Sequence, residues 1–229
     1  MQPNLHTAYQ STALSGSRHK VLRNTYALLG LSMIPTVIGA AVGANMSFAF
    51  MAGSPIMSMI AILALFYGLT FAIEANRNNA LGVPLMLLFT LLMGVLLGPL
   101  LQAAFKLSNG SQLIMVAGGA TTLVFAVMAG IATTTKRDLS GMGKFLMVGA
   151  IVLMVAVVAN IFLQLPLMSL VISAAFALFS SLMILWQVKT IIDGGETSYI
   201  SAALGIYISI YNLFTSLLHL LMAFAGDRD

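Results

Sequence analysis

Seven long apolar runs, parted only by short polar breaks, constrain this chain more than any other feature. They fall at about residues 26–50, 56–73, 81–104, 113–134, 145–163, 167–192 and 200–225. Each reaches or approaches the roughly 20 residues a helix needs to cross about 30 Å of hydrocarbon. In lipid, only helices and closed barrels satisfy every backbone donor and acceptor. The runs show no strict alternation, so helices are selected. Composition agrees: 60% of the chain is hydrophobic and 7% charged, against roughly 25% charged in a soluble domain. Ten basic and six acidic side chains are too few to solvate a globule of this size, so lipid must cover most of it. The expected fold is all-α: a polytopic bundle of seven transmembrane helices.

The breaks carry the charge. Residues 1–17 contain no Asp, Glu, Lys or Arg and read as a flexible cytosolic tail. A basic knot follows at Arg18, His19, Lys20 and Arg23, so the chain divides into a tail and knot over residues 1–24 and a membrane domain over 25–229. Val42 and Ala44 would suit a signal-peptide cleavage rule. The segment before the first run is long, however, and the run continues past that point, so a retained first span is expected. With the amino terminus in the cytosol, the inner segments hold Arg18, Lys20, Arg23, Arg77, Lys136, Arg137, Lys144 and Lys189. The outer segments hold only Lys106 and Arg228. That bias fixes an N-in, C-out orientation. Pro84 and Pro99 leave open whether the third span is continuous or a re-entrant piece.

Little in the chain suggests bond-making chemistry. With no cysteine there is no disulfide and no thiolate ligand or nucleophile. The three histidines, His6, His19 and His219, fall in the tail, the knot and the last span. No His-Glu-x-x-His motif is present. Gly30-Leu31-Ser32 continues with Met33, unlike an intramembrane serine-protease motif. The sixteen methionines are scattered through the spans and read as core filling rather than a copper site. No catalytic residue, cofactor or metal site is expected, and the scattered basic residues do not make a nucleic-acid surface. Gly39 with Gly43, and Gly94 with Gly98, present small faces suited to close helix packing within the bundle or, less simply, at a dimer face.

Intramembrane polar side chains are the remaining pointers, because each costs free energy unless partnered. Asn160 and Gln164 lie on the fifth span, Gln187 on the sixth, and Tyr207, Ser209 and Asn212 on the seventh. Ser209 and Asn212 share a helix face, and the short 193–196 turn favours side-by-side packing of the last two spans. Two readings follow: interhelical hydrogen bonds that hold the bundle, or a polar path. His219 reads as a satisfied or interfacial residue.

Three stretches carry a resemblance: residues 19–26 (HKVLRNTY), residues 158–166 (VANIFLQLP), and Gly194-Gly195-Glu196-Thr197 leading through Tyr199-Ile200 to Tyr207 and Tyr211-Asn212-Leu213-Phe214. Together they resemble the bacterial inner-membrane branch of the Bax inhibitor family, from about residue 18 to the carboxyl end. The resemblance implies a seven-helix bundle in the bacterial cytoplasmic membrane. It also implies binding and modulation of FtsH, the membrane-anchored ATP-dependent protease, in membrane-protein quality control. Other branches are pH-sensitive calcium leaks that use one aspartate on the sixth helix and one on the seventh. Aligning Trp186-Gln187-Val188 and Tyr207-Ile208-Ser209 with that branch puts Gln187 and Ser209 at the aspartate positions. An amide and a hydroxyl carry no charge near neutral pH, so a shared-proton switch for Ca²⁺ or H⁺ is not expected in its usual form.

Overall fold

The computed structural model describes residues 4–49 and 53–226, and the side chains of residues 18–49, 53–54 and 57–225. All its long elements are helices: α1 (Asn4–Ala44), α2 (Pro55–Ala75), α3 (Gly82–Leu96), α4 (Gly98–Phe105), α5 (Gly110–Thr134), α6 (Met142–Leu163), α7 (Pro166–Asp193) and α8 (Tyr199–Gly226). Seven stretches among the described residues are long and apolar enough to cross a membrane, with Gly82–Phe105 counted as one. The protein is a polytopic membrane protein, and α3 with α4 forms its third span.

The joint in that span has a local cause. Pro99 lacks the N–H that would bond the carbonyl of Val95. Leu97 therefore closes a tight turn onto Gly94 at 3.0 Å, and Leu101 resumes the ladder on Leu97 at 2.9 Å. Pro84 sits in the first turn of α3, where its missing N–H matters least. The third span is thus one crossing and not a re-entrant piece.

Helix α1 departs from expectation at both ends. Its 41 residues correspond to about 62 Å of rise, twice the ~30 Å hydrocarbon core. Residues 4–17, read from sequence as a tail, continue the helix beyond its membrane-crossing part, Arg18–Ala44. No proline or glycine interrupts them before Gly16, so nothing local stops the helix. At the other end the helix stops at Ala44, short of the apolar run's end at residue 50. Gln102 reaches across from α4 and donates to the carbonyls of Gly43, Ala44 and Met46 at 3.1, 3.2 and 2.8 Å. It thereby satisfies acceptors that a helix end leaves open.

The two glycine pairs meet each other. A Cβ on Gly39 would strike the carbonyl of Leu91, one on Gly43 the carbonyl of Val95, and one on Gly94 the carbonyl of Thr36. A Cβ on Gly98 would strike Gly43 and the Phe48 ring. The small faces therefore serve the crossing of α1 with α3 and α4 inside one bundle. Helix α8 is central, packing on α1, α2, α3, α4, α5 and α7. Its Ile206, Tyr207, Leu213 and Leu218 are fully buried. Helix α6 is peripheral. It packs on α7 alone, buries only Leu146, and turns Phe145, Val148, Ile151, Val155 and Phe162 outward.

One end of the bundle gathers the basic residues. The Arg18 guanidinium lies where a Cβ on Gly194 would be. Ser198 Oγ donates to the carbonyl of Arg77 at 3.0 Å, and Lys189 pairs with Asp193 at 2.8 Å. The alternation of spans places Lys136, Arg137 and Lys144 at this same end, which the positive-inside rule assigns to the cytosol. Arg228 lies outside the described residues.

Candidate functional site

The last two helices meet along a polar seam. On α8, Ser209, Asn212, Ser216 and His219 follow at intervals of three, four and three residues, which sets them on one face. On α7, Ser173, Ser180 and Gln187 recur every seventh residue, again on one face. Antiparallel packing brings the two stripes together. Toward the cytosolic end, the Ser209 hydroxyl donates to Gln187 Oε1 at 3.2 Å, sharing its hydrogen with the Gly205 carbonyl at 3.1 Å. The amide packs against bare backbone there, since a Cβ on Gly205 would lie 3.0 Å from Gln187 Nε2. Toward the outer end, Ser173 Oγ and His219 Nδ1 are hydrogen-bonded at 2.7 Å. The register set by these two bonds puts Ser180 between the levels of Asn212 and Ser216. Its hydroxyl is buried without a partner among the described residues.

The seam is neutral near the Gln187–Ser209 pair. Neither member carries a charge near neutral pH, and each supplies what the other needs, a donor to an amide oxygen. The chemistry available is hydrogen bonding between helices. Among the described residues no group of three or more histidine, aspartate or glutamate side chains gathers where a metal ion could bind.

The other polar residues singled out in the sequence are placed elsewhere. Tyr207 faces away from the seam. Its hydroxyl lies 2.9 Å from Thr36 Oγ1 on α1 and donates to the Thr90 carbonyl on α3 at 3.4 Å, while its ring packs on Phe89 at 6.0 Å. Asn160 and Gln164 build the outer turn between α6 and α7. Asn160 Nδ2 donates to Ser169 Oγ at 2.6 Å, its Oδ1 accepts from the Leu165 N–H at 3.3 Å, and Gln164 takes a left-handed φ of 51° to end α6. These two residues are turn builders, a helical span away from Gln187. The polar set grouped by sequence thus divides among three places.

Sequence reasoning missed Ser173, Ser180, Ser216 and the partner of His219. The seven-residue recurrence of Ser173, Ser180 and Gln187 was the available signal. It also missed a clasp at the cytosolic end. Glu196 Oε1 accepts from the N–H groups of Thr197 and Ser198 at 2.8 and 2.7 Å and so fixes the turn, while Ser198 Oγ accepts from the Ser201 N–H at 3.4 Å and caps the start of α8. Ser201 Oγ donates to Glu74 Oε2 at 2.9 Å, tying α8 to the end of α2.

The family model described as "Inhibitor of apoptosis-promoting Bax1" matches residues 18–226. An uncharacterized protein of Neisseria meningitidis is 50% identical over 224 residues, covering 97% of this chain and 99% of that protein. The "Modulator of FtsH protease YccA" of Escherichia coli is 43% identical over 205 residues, covering 90% of each chain. The protein of a second E. coli strain, with the same identity and coverage, bears the name "Inner membrane protein YccA".

Proposed function

The chain belongs to the Bax inhibitor family, and from that premise we propose that it acts as a non-enzymatic partner of an FtsH-type protease in the bacterial inner membrane, binding the protease and modulating it in membrane-protein quality control. The observation that carries this reading is the 43% identity, along 90% of both chains, to the E. coli modulator of FtsH protease.

The architecture suits such a role. A protease that extracts membrane proteins must grip a cytosolic end. Residues 4–17 project from the bundle as the membrane-distal part of α1. A helical segment this short, without a core of its own, is marginal in water and unravels at little cost. The bundle behind it exposes no separate soluble domain and resists extraction, so it occupies the protease. Co-purification with FtsH from detergent-solubilised membranes is the direct test, and its failure rejects the binding. Deleting residues 2–17 is expected to lengthen the protein's half-life in cells with active FtsH. An unchanged half-life rejects the handle.

A second reading, a proton or ion leak, draws on the unpartnered Ser180 hydroxyl between two hydrogen-bonded pairs. Flux in liposomes that falls on Gln187→Ala or Ser209→Ala supports it, and absence of flux rejects it. Calcium suits the site poorly, because Ca²⁺ takes six to eight oxygens that normally include carboxylates.

A further inference from the structure

Helices α1 and α5 are not in close backbone contact, although both pack on α8. A groove is left between them, with α8 as its floor and, at the cytosolic end, α7. Three cavities lie along it in register. At the cytosolic end, a space of about 310 Å³ is lined by Arg18, His19, Leu22, Thr133 and Ile192. The next, about 270 Å³, lies between Tyr26, Gly30 and Met33 on α1 and Thr121, Thr122 and Phe125 on α5. The third, about 390 Å³, continues past Val37 and Ala40 opposite Ile114 and Gly118. Residue numbers rise along α1 as they fall along α5, so the three follow one another, the first parted from the second by the edge-on contact of the Tyr26 and Phe125 rings at 6.0 Å. From Tyr26 to Ala40 the groove runs about 21 Å at the helical rise, more than half of the ~30 Å hydrocarbon core.

The two ends of this course differ in chemistry. Its depth is mostly apolar, and the threonine hydroxyls on its α5 wall are already engaged. Thr121 and Thr122 donate to the carbonyls of Ala117 and Gly118 at 2.7 and 2.9 Å. No backbone or side chain comes within 4 Å of a Cβ built on Gly30 or Gly118, so the groove is wide where it crosses these glycines. Its mouth is cationic. Arg18, His19 and Lys20 are exposed, and the described ion pairs engage neither Arg18 nor Lys20. A basic mouth at the cytosolic membrane surface, opening onto an apolar furrow that faces lipid, is complementary to one molecule type.

We infer that this groove is a binding site for a single anionic phospholipid of the cytosolic leaflet, its phosphate held at Arg18 and one acyl chain laid between α1 and α5. Basic pockets between transmembrane helices on the cytosolic side hold anionic headgroups for the same reason. The acyl chain passes the Tyr26–Phe125 contact on its lipid side and fills the furrow beyond it, which Gly30 and Gly118 keep open. The site does not depend on protease binding or on the polar seam, which lies on the α7-facing side of α8.

The test uses the purified full chain in vesicles. Trp186 is the single tryptophan, so Trp186→Phe removes the native signal and Phe125→Trp places a reporter in the groove, about 12 Å below Thr133 at the helical rise. Phosphatidylglycerol or phosphatidylcholine, brominated at mid-chain, is titrated into unbrominated phosphatidylcholine, and quenching is followed. Half-quenching is expected at a mole fraction of the anionic lipid about fivefold lower than for the zwitterionic one, the factor that roughly one basic residue near the surface confers. Arg18→Gln should bring the two within twofold. Gly118→Leu should reduce quenching by both lipids, with the protein's elution and melting showing that the bundle is intact. A control reporter, Phe145→Trp on the outward face of α6 beside Lys144, should show no such preference. Equal half-points in the parent, a preference that survives Arg18→Gln, or the same preference at the control position would each overturn the site. So would a reporter that neither lipid quenches, because the groove would then be closed or filled by protein.

Discussion

The crossing of α1 with α3 and α4 and the seam of α7 with α8 join helices by opposite means. At the first, four glycines let backbone approach backbone so closely that a methyl group at Gly39, Gly43 or Gly94 would collide with a facing carbonyl. At the second, side chains bond across the contact, as Ser209 does to Gln187 and Ser173 to His219. Within lipid there is little hydrophobic drive for helices to associate, so dispersion at close approach and interhelical hydrogen bonds are the two available sources of adhesion. The glycine crossing uses the first source and tolerates no added atom. The polar seam uses the second and can lose a member at modest cost.

The most severe test of this contrast is Gly94→Val. The branched side chain would be driven into the Thr36 carbonyl and the backbone of Ala40. Overpacking a rigid contact costs typically 1–3 kcal/mol and sometimes more, and here neither backbone can yield, so about 3 kcal/mol or more is expected. Size-exclusion chromatography and thermal unfolding in mild detergent should show loss of the folded monomer. Gly119→Ala is the paired control, because nothing lies within 4 Å of that position. It is expected to be neutral or to gain up to about 1 kcal/mol from helix propensity. A Gly94→Val protein that elutes and melts like the parent would remove the distinction between the two contacts.

A smaller effect is expected where the two regions meet. Tyr207 belongs to α8, the seam helix, yet its hydroxyl serves the glycine side, at Thr36 and Thr90. Thr36 sits one turn from Ser32, whose carbonyl accepts its hydroxyl at 2.8 Å. Tyr207→Phe should therefore leave Thr36 partnered and cost about 1 kcal/mol, within the range of interhelical bonds in membranes. Unfolding in mixed detergent micelles reads this directly. A loss above about 3 kcal/mol would mean that the hydroxyl, and not the glycine contact, holds α1 in place.

How far these regions were legible in sequence differs for the same physical reason. The glycine faces announce themselves, because Gly39 and Gly43, like Gly94 and Gly98, recur at a helical interval, and close approach is nearly the only use for such a stripe. What the sequence left open was the partner, which could have been a second copy. The seven spans were equally plain, since hydropathy reflects a solvent that acts on every residue alike. The polar seam was half legible. Gln187, Ser209 and Asn212 stood out, but Ser173 and Ser180 did not, because serine is common in membrane helices and bonds its own backbone without help. Nearness in sequence suggests that Tyr207 and Ser209 act together, but two residues along a helix turn a side chain to nearly the opposite face. The end of α1 escaped altogether. It depends on Gln102, more than fifty positions away, as the separation of 59 between Gln102 and Gly43 shows.

The seam itself is sharpened by a double-mutant cycle on Gln187→Ala and Ser209→Ala. Ser209 keeps the Gly205 carbonyl as an acceptor when Gln187 is shortened, so the single losses should be small. The coupling between them should be about 0.6 kcal/mol, the average for such pairs in a membrane protein. A coupling near zero would show that Gln187 is held by packing against Gly205, and the seam would then resemble the glycine crossing more than its polar residues suggest.

The least effect belongs to the water-exposed loop between α5 and α6, where a polar contact is neither dry nor tightly packed. In the loop before α6, Ser140 donates its N–H to Asp138 Oδ1 at 2.8 Å and its hydroxyl to Oδ2 at 3.0 Å. The Ser140 backbone and side-chain hydrogen bonds, with some help from the Lys189 charge, hold the Asp138 carboxyl below its ordinary value of 3.8. A carboxyl depressed in the folded state contributes above its unfolded value, and that contribution is lost as pH falls through the folded one. The Ser140 amide resonance should therefore titrate with a midpoint below 3.8, while the thermal midpoint shows no measurable change from this group, since Asp138 is fully exposed and solvent screens it. Over the same range the side-chain amide resonances of Gln187 should stay still, because the pair it forms with Ser209 holds no proton to lose. Movement of the Gln187 signals in step with Asp138 would tie the seam to the charge at the cytosolic end, and the neutral clamp would become part of a titrating network.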